Sequence, residues 1–307
     1  MFNKVLFIGS KESGLKVLKE IYKEAADSVV GCVTVDDSDD ARSELEGFIA
    51  YCCQNNIPID ILKGKCDLTE SIKKYVPDLC IVMGWYYIIA EELLDEVKGG
   101  FIGIHNSLLP KHRGFAPVVW SIIAGDNETG FSVFSFDKGM DTGDIWYQGK
   151  VNISKSDYVA DVLEKLDEGI YDFFKNNYLN ILSGKMRPSK QIEENVSYGA
   201  RRTPENGKID WSRSAEEIYD FIRAQSKPYP GAYTTYRGEK VVIWRSEIFP
   251  HIIQGTPGQI GLIDVATDRI IVVCGNNTGL VIAQFETDDG MVSATKMIKS
   301  LNYNLGY

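Results

Sequence analysis

The chain has 307 residues, with 33 Lys plus Arg against 43 Asp plus Glu and a formal net charge of −10. Apolar residues make up 44% and charged residues 25%, the balance of a globular protein long enough for two domains, which excludes a disordered chain. The acidic excess also argues against a protein that works mainly by gripping phosphate backbones, because such binders draw their affinity from Lys and Arg displacing counterions.

The first strand is expected at Lys4 to Gly9, with no signal peptide before it. Apolar stretches fall short of the roughly 20 residues that cross a bilayer, so a cytoplasmic location and no membrane partner are expected. Helical spacing follows over Glu12 to Ala25, then strand at Ser28 to Val35, helix at Ala41 to Gln54 and strand at Ile57 to Leu62. A helix from Thr69, a strand at Leu79 to Met83, a helix at Ala90 to Val97 and a strand at Gly100 to His105 continue the alternation. Buried strands alternating with short helices predict an α/β fold with a Rossmann-like parallel sheet, whose ligands bind beyond the carboxyl ends of the strands.

A long helix is expected at Val159 to Leu182, closing a first domain at residues 1–183. Residues 184–204, opening with Gly184 to Lys190, read as a linker. A helix at Ala215 to Ala224 then leads into short strands such as Lys240 to Trp244, Arg269 to Val273 and Leu280 to Phe285. These predict a smaller β-rich, open-barrel (OB-like) domain over residues 205–307. Residues 201–307 contain 12 basic and 12 acidic side chains, so the whole acidic excess lies in residues 1–200.

Six cysteines (Cys32, Cys52, Cys53, Cys66, Cys80 and Cys274) form no C-x-x-C pair and read as small hydrophobes in a reduced compartment. Histidine is scarce, only His105, His112 and His251, which makes a histidine-based metal site improbable. The first βα turn, Gly9 to Gly14, lacks the G-x-G-x-x-G and P-loop patterns. Its helix N-terminus could still take a phosphate with help from Ser10 and Lys11. His105 stands out because a titratable ring ends an apolar strand at the ligand-binding edge, where it can serve as general acid or base. A Gly-hinged loop, Lys138 to Asp144, presents Asp141 and Asp144; one carboxylate near His105 would orient and charge-stabilise the imidazole.

Taken together, His105 to Gly114 (HNSLLPKHRG), Ala116-Pro117, Trp120 and Met140 to Ile145 (MDTGDI) resemble the formyltransferase family that uses 10-formyltetrahydrofolate. Asp141 follows His105 by 36 residues, the family spacing. Arg201 to Trp211 (RRTPENGKIDW), Arg223-Ala224 and Pro228 to Ala232 (PYPGA) resemble the carboxyl-terminal domain of members acting on methionyl-tRNA or amino sugars. The resemblance implies that His105 and Asp141 are catalytic. It places the pterin of the co-substrate 10-formyltetrahydrofolate beside Met83, Gly84, Trp85, Tyr86 and Tyr87 and the Asp141 to Asp144 loop. Ser107 and Arg113, in the motif loop, either shape that loop or touch ligand. In one respect the chain departs from the family: Gly103 stands where an Asn is usual, two residues before the His. Gly103 would leave a gap beside His105 and remove one oxyanion donor, a loss of ~10²–10³ in rate. Asn106 can replace that donor only if the strand ends at His105.

The acceptor is read from charge. Members that act on tRNA carry a basic insertion after the second strand, whereas this chain has Asp36-Asp-Ser-Asp-Asp40 there. Four carboxylates facing a phosphate backbone would repel it, so a nucleotide-linked 4-amino sugar is the expected partner and tRNA is not. Lys11, Arg113, Arg201 and Arg202 are candidates for its diphosphate, Ser10, Ser107 and Tyr198 for further substrate contacts, and the reading leaves room for a homodimer. The alternatives are methionyl-tRNA and, because of Gly103, an inactive folate-binding relative.

Overall fold

A computed structural model describes residues 1–64 and 67–306; Cys66 lies outside the described residues. The elements run β1 (Val5–Gly9), α1 (Lys11–Ala25), β2 (Val29–Val35), α2 (Leu45–Gln54), β3 (Ile59–Leu62), α3 (Thr69–Tyr75), β4 (Leu79–Met83), α4 (Glu91–Glu96) and β5 (Phe101–His105). They continue as β6 (Arg113–Gly114), α5 (Pro117–Ile123), β7 (Glu128–Ser135), β8 (Ile145–Asn152), α6 (Val159–Leu182) and β9 (Tyr198–Gly199). The C-terminal part holds α7 (Ala215–Gln225), β10 (Ala232–Tyr236), β11 (Glu239–Ile243), β12 (Glu247–Phe249), β13 (Ile260–Asp264), β14 (Arg269–Val273), β15 (Gly279–Ile282), β16 (Gln284–Thr287), β17 (Gly290–Ser293) and α8 (Ala294–Met297).

Among the described residues, the first sheet has seven strands in the order β3-β2-β1-β4-β5-β7-β8. Every residue of β1 and β4 is buried, as near-continuous apolar runs require when both faces are covered. Pairing is parallel from β3 through β5, in registers such as Phe7↔Cys32, Phe7↔Ile81 and Ile81↔Ile102. Beyond β5 the sheet turns antiparallel, with His105 opposite Ser132 and Gly103 opposite Phe134, so it is not parallel throughout. The strand order reverses between β1 and β4. Their carboxyl ends, Gly9-Ser10 and Met83-Gly84, therefore flank the crevice where such sheets bind ligands. Helix α2 begins four residues later than expected, because Asp40 and Ser43 close successive turns back to Asp37 and Asp40 instead of entering a helix.

The chain divides into two compact units. The first takes in Met1–Gly114, Gly130–Val151 and Lys165–Tyr198, the second Phe115–Thr129, Asn152–Glu164 and Gly199–Tyr307. The division departs from the single break expected at residue 183. Residues 184–198 belong to the first unit, where Ser189 exchanges backbone hydrogen bonds with Ile145 and Arg113 binds Gln191 and Glu193. Helix α5 belongs to the second unit, where the Trp120 indole donates to the Ala200 carbonyl and stacks with the Arg202 guanidinium at 4.9 Å.

The second unit is rich in strands. β10-β11-β16-β17 and β12-β15-β14-β13 form two four-stranded antiparallel sheets around a core of Trp211, Ile218, Ile222, Val241, Val272, Leu280 and Phe285. The strand expected at Leu280 to Phe285 breaks at Ala283: β15 pairs with β12 and β14, and β16 with β11 and β17, so the chain changes sheets there. Helix α7 starts with a capping box, Ser214 and Glu217, each satisfying the other's backbone N–H. No described helix is long and apolar enough to cross a membrane.

Candidate active site

The last residue of β5 is His105, and it is 9% exposed. Its Nε2 lies 2.8 Å from the carbonyl oxygen of His112. A carbonyl oxygen only accepts, so Nε2 carries the proton and the neutral ring keeps its lone pair on Nδ1. Nδ1 is 3.6 Å from Asp141 Oδ2, beyond a hydrogen bond but close enough for the carboxylate to stabilise an imidazolium. The same Oδ2 accepts the Gly114 N–H at 2.7 Å. Asp141 itself holds a left-handed backbone, φ +55°, a region uncommon for L-residues but tolerated by aspartate. The two residues that the family resemblance pairs thus lie close together in space.

The motif loop after His105 is held from within. Ser107 is fully buried and donates to the Lys111 carbonyl at 2.6 Å. The Ser132 hydroxyl donates to the Ser107 carbonyl and accepts from the Leu109 N–H and from Gln148, whose amide also caps the Leu109 carbonyl. Arg113 is 1% exposed and spends its guanidinium on Gln191, Glu193 and Tyr198, with Glu193 holding its pKa above the usual arginine value. Ser107 and Arg113 therefore shape the loop. Tyr198 is 62% exposed and available at the surface of the same unit.

At the β4 end, Met83 is buried and Gly84 has φ +71°, with its backbone pressed against the Ser10 carbonyl where a Cβ would overlap. Trp85 packs beside Tyr87 at 5.6 Å, and Tyr87 beside the exposed Tyr86 at 4.8 Å. Trp85 Nε1 and Asn106 Oδ1 are buried without hydrogen-bond partners. Trp85 follows the end of β4 and packs against an apolar core cluster, and Asn106 follows the end of β5. Asp144 lies half-buried in the loop, its carbonyl accepting the Ser135 N–H at 2.8 Å.

Three expectations change. Ser10 and Lys11 are not free for a phosphate: Ser10 donates to the Gly84 carbonyl at 2.5 Å, and Lys11 pairs with Asp37 at 2.5 Å and Asp40 at 2.9 Å. The acidic loop is largely neutralised. Asp36 pairs with Lys63, Asp37 with Lys11, and Asp40 with both Lys11 and Arg42; Arg42 and Lys11 hold the Asp40 carboxyl well below its ordinary pKa. Finally, Gly103 leaves no gap. A Cβ there would overlap the ring of Phe136, an apolar side chain in the space an amide would need. β5 does end at His105, the condition under which Asn106 escapes strand alternation.

Arg201 and Arg202 belong to the second unit, where they line a concavity of about 280 Å³ with Phe115, Val119, Gln225 and Tyr229. Arg202 donates to Gln225 Oε1 at 2.6 Å, and burial lowers its pKa. Sequence reasoning missed Phe136 and Gln191. Phe136 becomes visible only through the β5–β7 register, and Gln191 lies in a polar stretch with no periodic signal. Among the described residues no group of three or more His, Cys, Asp or Glu is placed to hold a metal ion.

The formyl transferase family model matches residues 3–173, and the model of the formyl transferase C-terminal domain matches residues 201–302. The methionyl-tRNA formyltransferase of Caldanaerobacter subterraneus subsp. tengcongensis is 32% identical over 280 residues, 89% of this chain and 89% of that protein. The Bacillus subtilis enzyme of the same name is 32% identical over 289 residues, 92% of this chain and 90% of its own. Among solved structures, the N-formyltransferase of Helicobacter canadensis in complex with folinic acid and dTDP-3-aminofucose superposes with a TM-score of 0.69 at 20% identity. It covers 91% of this chain and 98% of its own, and shows the shared fold. A strand-end histidine facing a loop aspartate, on a chain matched along both parts, makes this protein a member of the formyl transferase family, an N-formyltransferase.

Proposed function

We propose that the protein transfers the formyl group of 10-formyltetrahydrofolate to the amine of methionyl-tRNA, at His105 and Asp141. The observation that carries the acceptor is the relatives' match through both parts of the chain, at 32% identity over about nine-tenths of either length. The Asp36 to Asp40 loop opposes it less than its composition suggests, because Lys11, Arg42 and Lys63 offset three of its four carboxylates.

The co-substrate supplies the formyl carbon, and Met83 to Tyr87 with the Asp141 to Asp144 loop hold its pterin. His105, its Nε2 proton committed to the His112 carbonyl, takes the proton of the attacking amine on Nδ1 and returns it to the folate nitrogen as the bond from that nitrogen to the formyl carbon breaks. Asp141, 3.6 Å away, offsets the resulting imidazolium charge and keeps the ring oriented.

A second reading, a nucleotide-linked 4-amino sugar as acceptor, is favoured by the net-zero charge of residues 201–307, which offers no excess of cations for a long phosphate backbone. A formylation assay with the folate donor separates the two, comparing methionyl-tRNA with a panel of UDP- and dTDP-4-amino sugars. Turnover confined to the sugars would reject the proposed acceptor. No turnover of either, with folate still bound, would indicate the inactive folate-binding relative.

A further inference from the structure

The segment after α6 makes a chemically one-way connection to the catalytic loop. The buried Arg113 guanidinium donates to Gln191 Oε1 through Nη2 at 2.6 Å and Nε at 3.2 Å. Guanidinium nitrogens only donate, so the Gln191 amide has one orientation, with its oxygen toward Arg113. The Nε2 group must therefore face the other way, and it donates to the Asp141 and Gly143 carbonyls at 2.8 Å each. A flipped amide would set oxygen against two carbonyls and nitrogen against a cation. Glu193 adds a second partner for Arg113 at 2.8 Å and keeps the guanidinium in place.

We propose that Gln191, oriented by Arg113, is a positioning residue that holds Asp141 in its working geometry. Asp141 sits at φ +55°, a conformation that costs an L-residue some energy even though aspartate tolerates it better than most. Its carboxylate is fixed at one end by the Gly114 N–H and its carbonyl at the other by Gln191. Two residues on, Gly143 packs so tightly against the Ser135 carbonyl that a Cβ would overlap it, so the loop cannot shift toward the sheet. Losing the Gln191 donor frees two carbonyls at once and lets Asp141 relax to an ordinary backbone, carrying Oδ2 away from His105 Nδ1. This rests on the reading that His105 and Asp141 carry the proton chemistry.

A double-mutant cycle on the full chain tests it. Gln191→Glu keeps the shape and the Arg113 contacts but replaces the Nε2 donor by an oxygen; Gln191→Ala removes the whole group. Each is expected to lower kcat roughly 10–100-fold with KM for the amine acceptor little changed. In an Asp141→Asn background, measured by single turnover, the same substitutions should cost less than about twofold, because the geometry they maintain no longer matters. Gln191 variants with parental kcat, while Asp141→Asn is crippled, would overturn the clamp and leave the site reading intact. An equal loss in both backgrounds would also overturn it, since Gln191 would then act independently of Asp141. Parental kcat in Asp141→Asn itself would remove the site reading, and the clamp's function with it.

Discussion

At the residue scale, the candidate site depends on small numbers of hydrogen bonds that set direction. The His112 carbonyl decides which nitrogen of His105 bears the proton, and the Gly114 N–H decides which oxygen of Asp141 faces the ring. Replacing His105 by Ala should reduce kcat by ~10²–10⁴ while leaving folate affinity within a few-fold, read by steady-state kinetics and by titration of the folate. Gly103 offers a sharper test, because its position invites restoration of the family amide. Gly103→Asn is expected to lower the melting temperature, by a destabilisation of about 1–3 kcal/mol, with no gain in kcat, since Phe136 fills the space. Pairing it with Phe136→Ala should recover part of the stability and raise kcat above the single variant. A single Gly103→Asn that is stable and faster would refute this account of the packing.

At the scale of elements, helix α7 holds an ion pair that bears on stability. Arg223 and Asp220 are 1% and 5% exposed and meet at 2.7 Å, and Arg223 also donates to the Asp157 carbonyl at 2.8 Å. Asp220→Ala would leave a buried guanidinium without its carboxylate, and a loss of about 3–5 kcal/mol is expected, measured by urea denaturation. An unchanged midpoint would mean that water reaches the pair. Elements of this kind were legible where the signal was local. Helix α6 begins and ends at the expected residues, and β4 and β14 likewise, because apolar runs and helical spacing need no partner to be recognised. The antiparallel edge at β7 and the change of sheet at Ala283 were not legible, since they depend on which strand lies alongside. The start of α2 was misplaced because Asp40 closes a turn with its own neighbours.

At the scale of the whole molecule, charge arithmetic and charge geometry lead to different acceptors. The net charge of −10 and the Asp36 to Asp40 run favour a small substrate when counted along the chain. In the fold, Lys63 and Lys11 reach that run from other segments, Arg42 pairs with it from within the same loop, and together they offset three of its four carboxylates. For methionyl-tRNA as acceptor, KM should rise steeply between 50 and 200 mM salt, by roughly tenfold or more, while a nucleotide-sugar substrate would respond weakly. A salt-insensitive KM for methionyl-tRNA would count against phosphate-backbone recognition.

The sequence by itself determined the strand-helix alternation and the family resemblance, and through that resemblance it singled out His105 and Asp141. Each is carried by residue types at fixed spacings, and the chemistry that needs them is written in short segments. Only the tertiary structure decided that Phe136 occupies the place of the missing amide, that Lys11 is already neutralised, and that Gln191 holds Asp141. These are contacts between residues 26 to 50 positions apart, or across a strand register, and no local pattern encodes them because their energy exists only once the chain has folded.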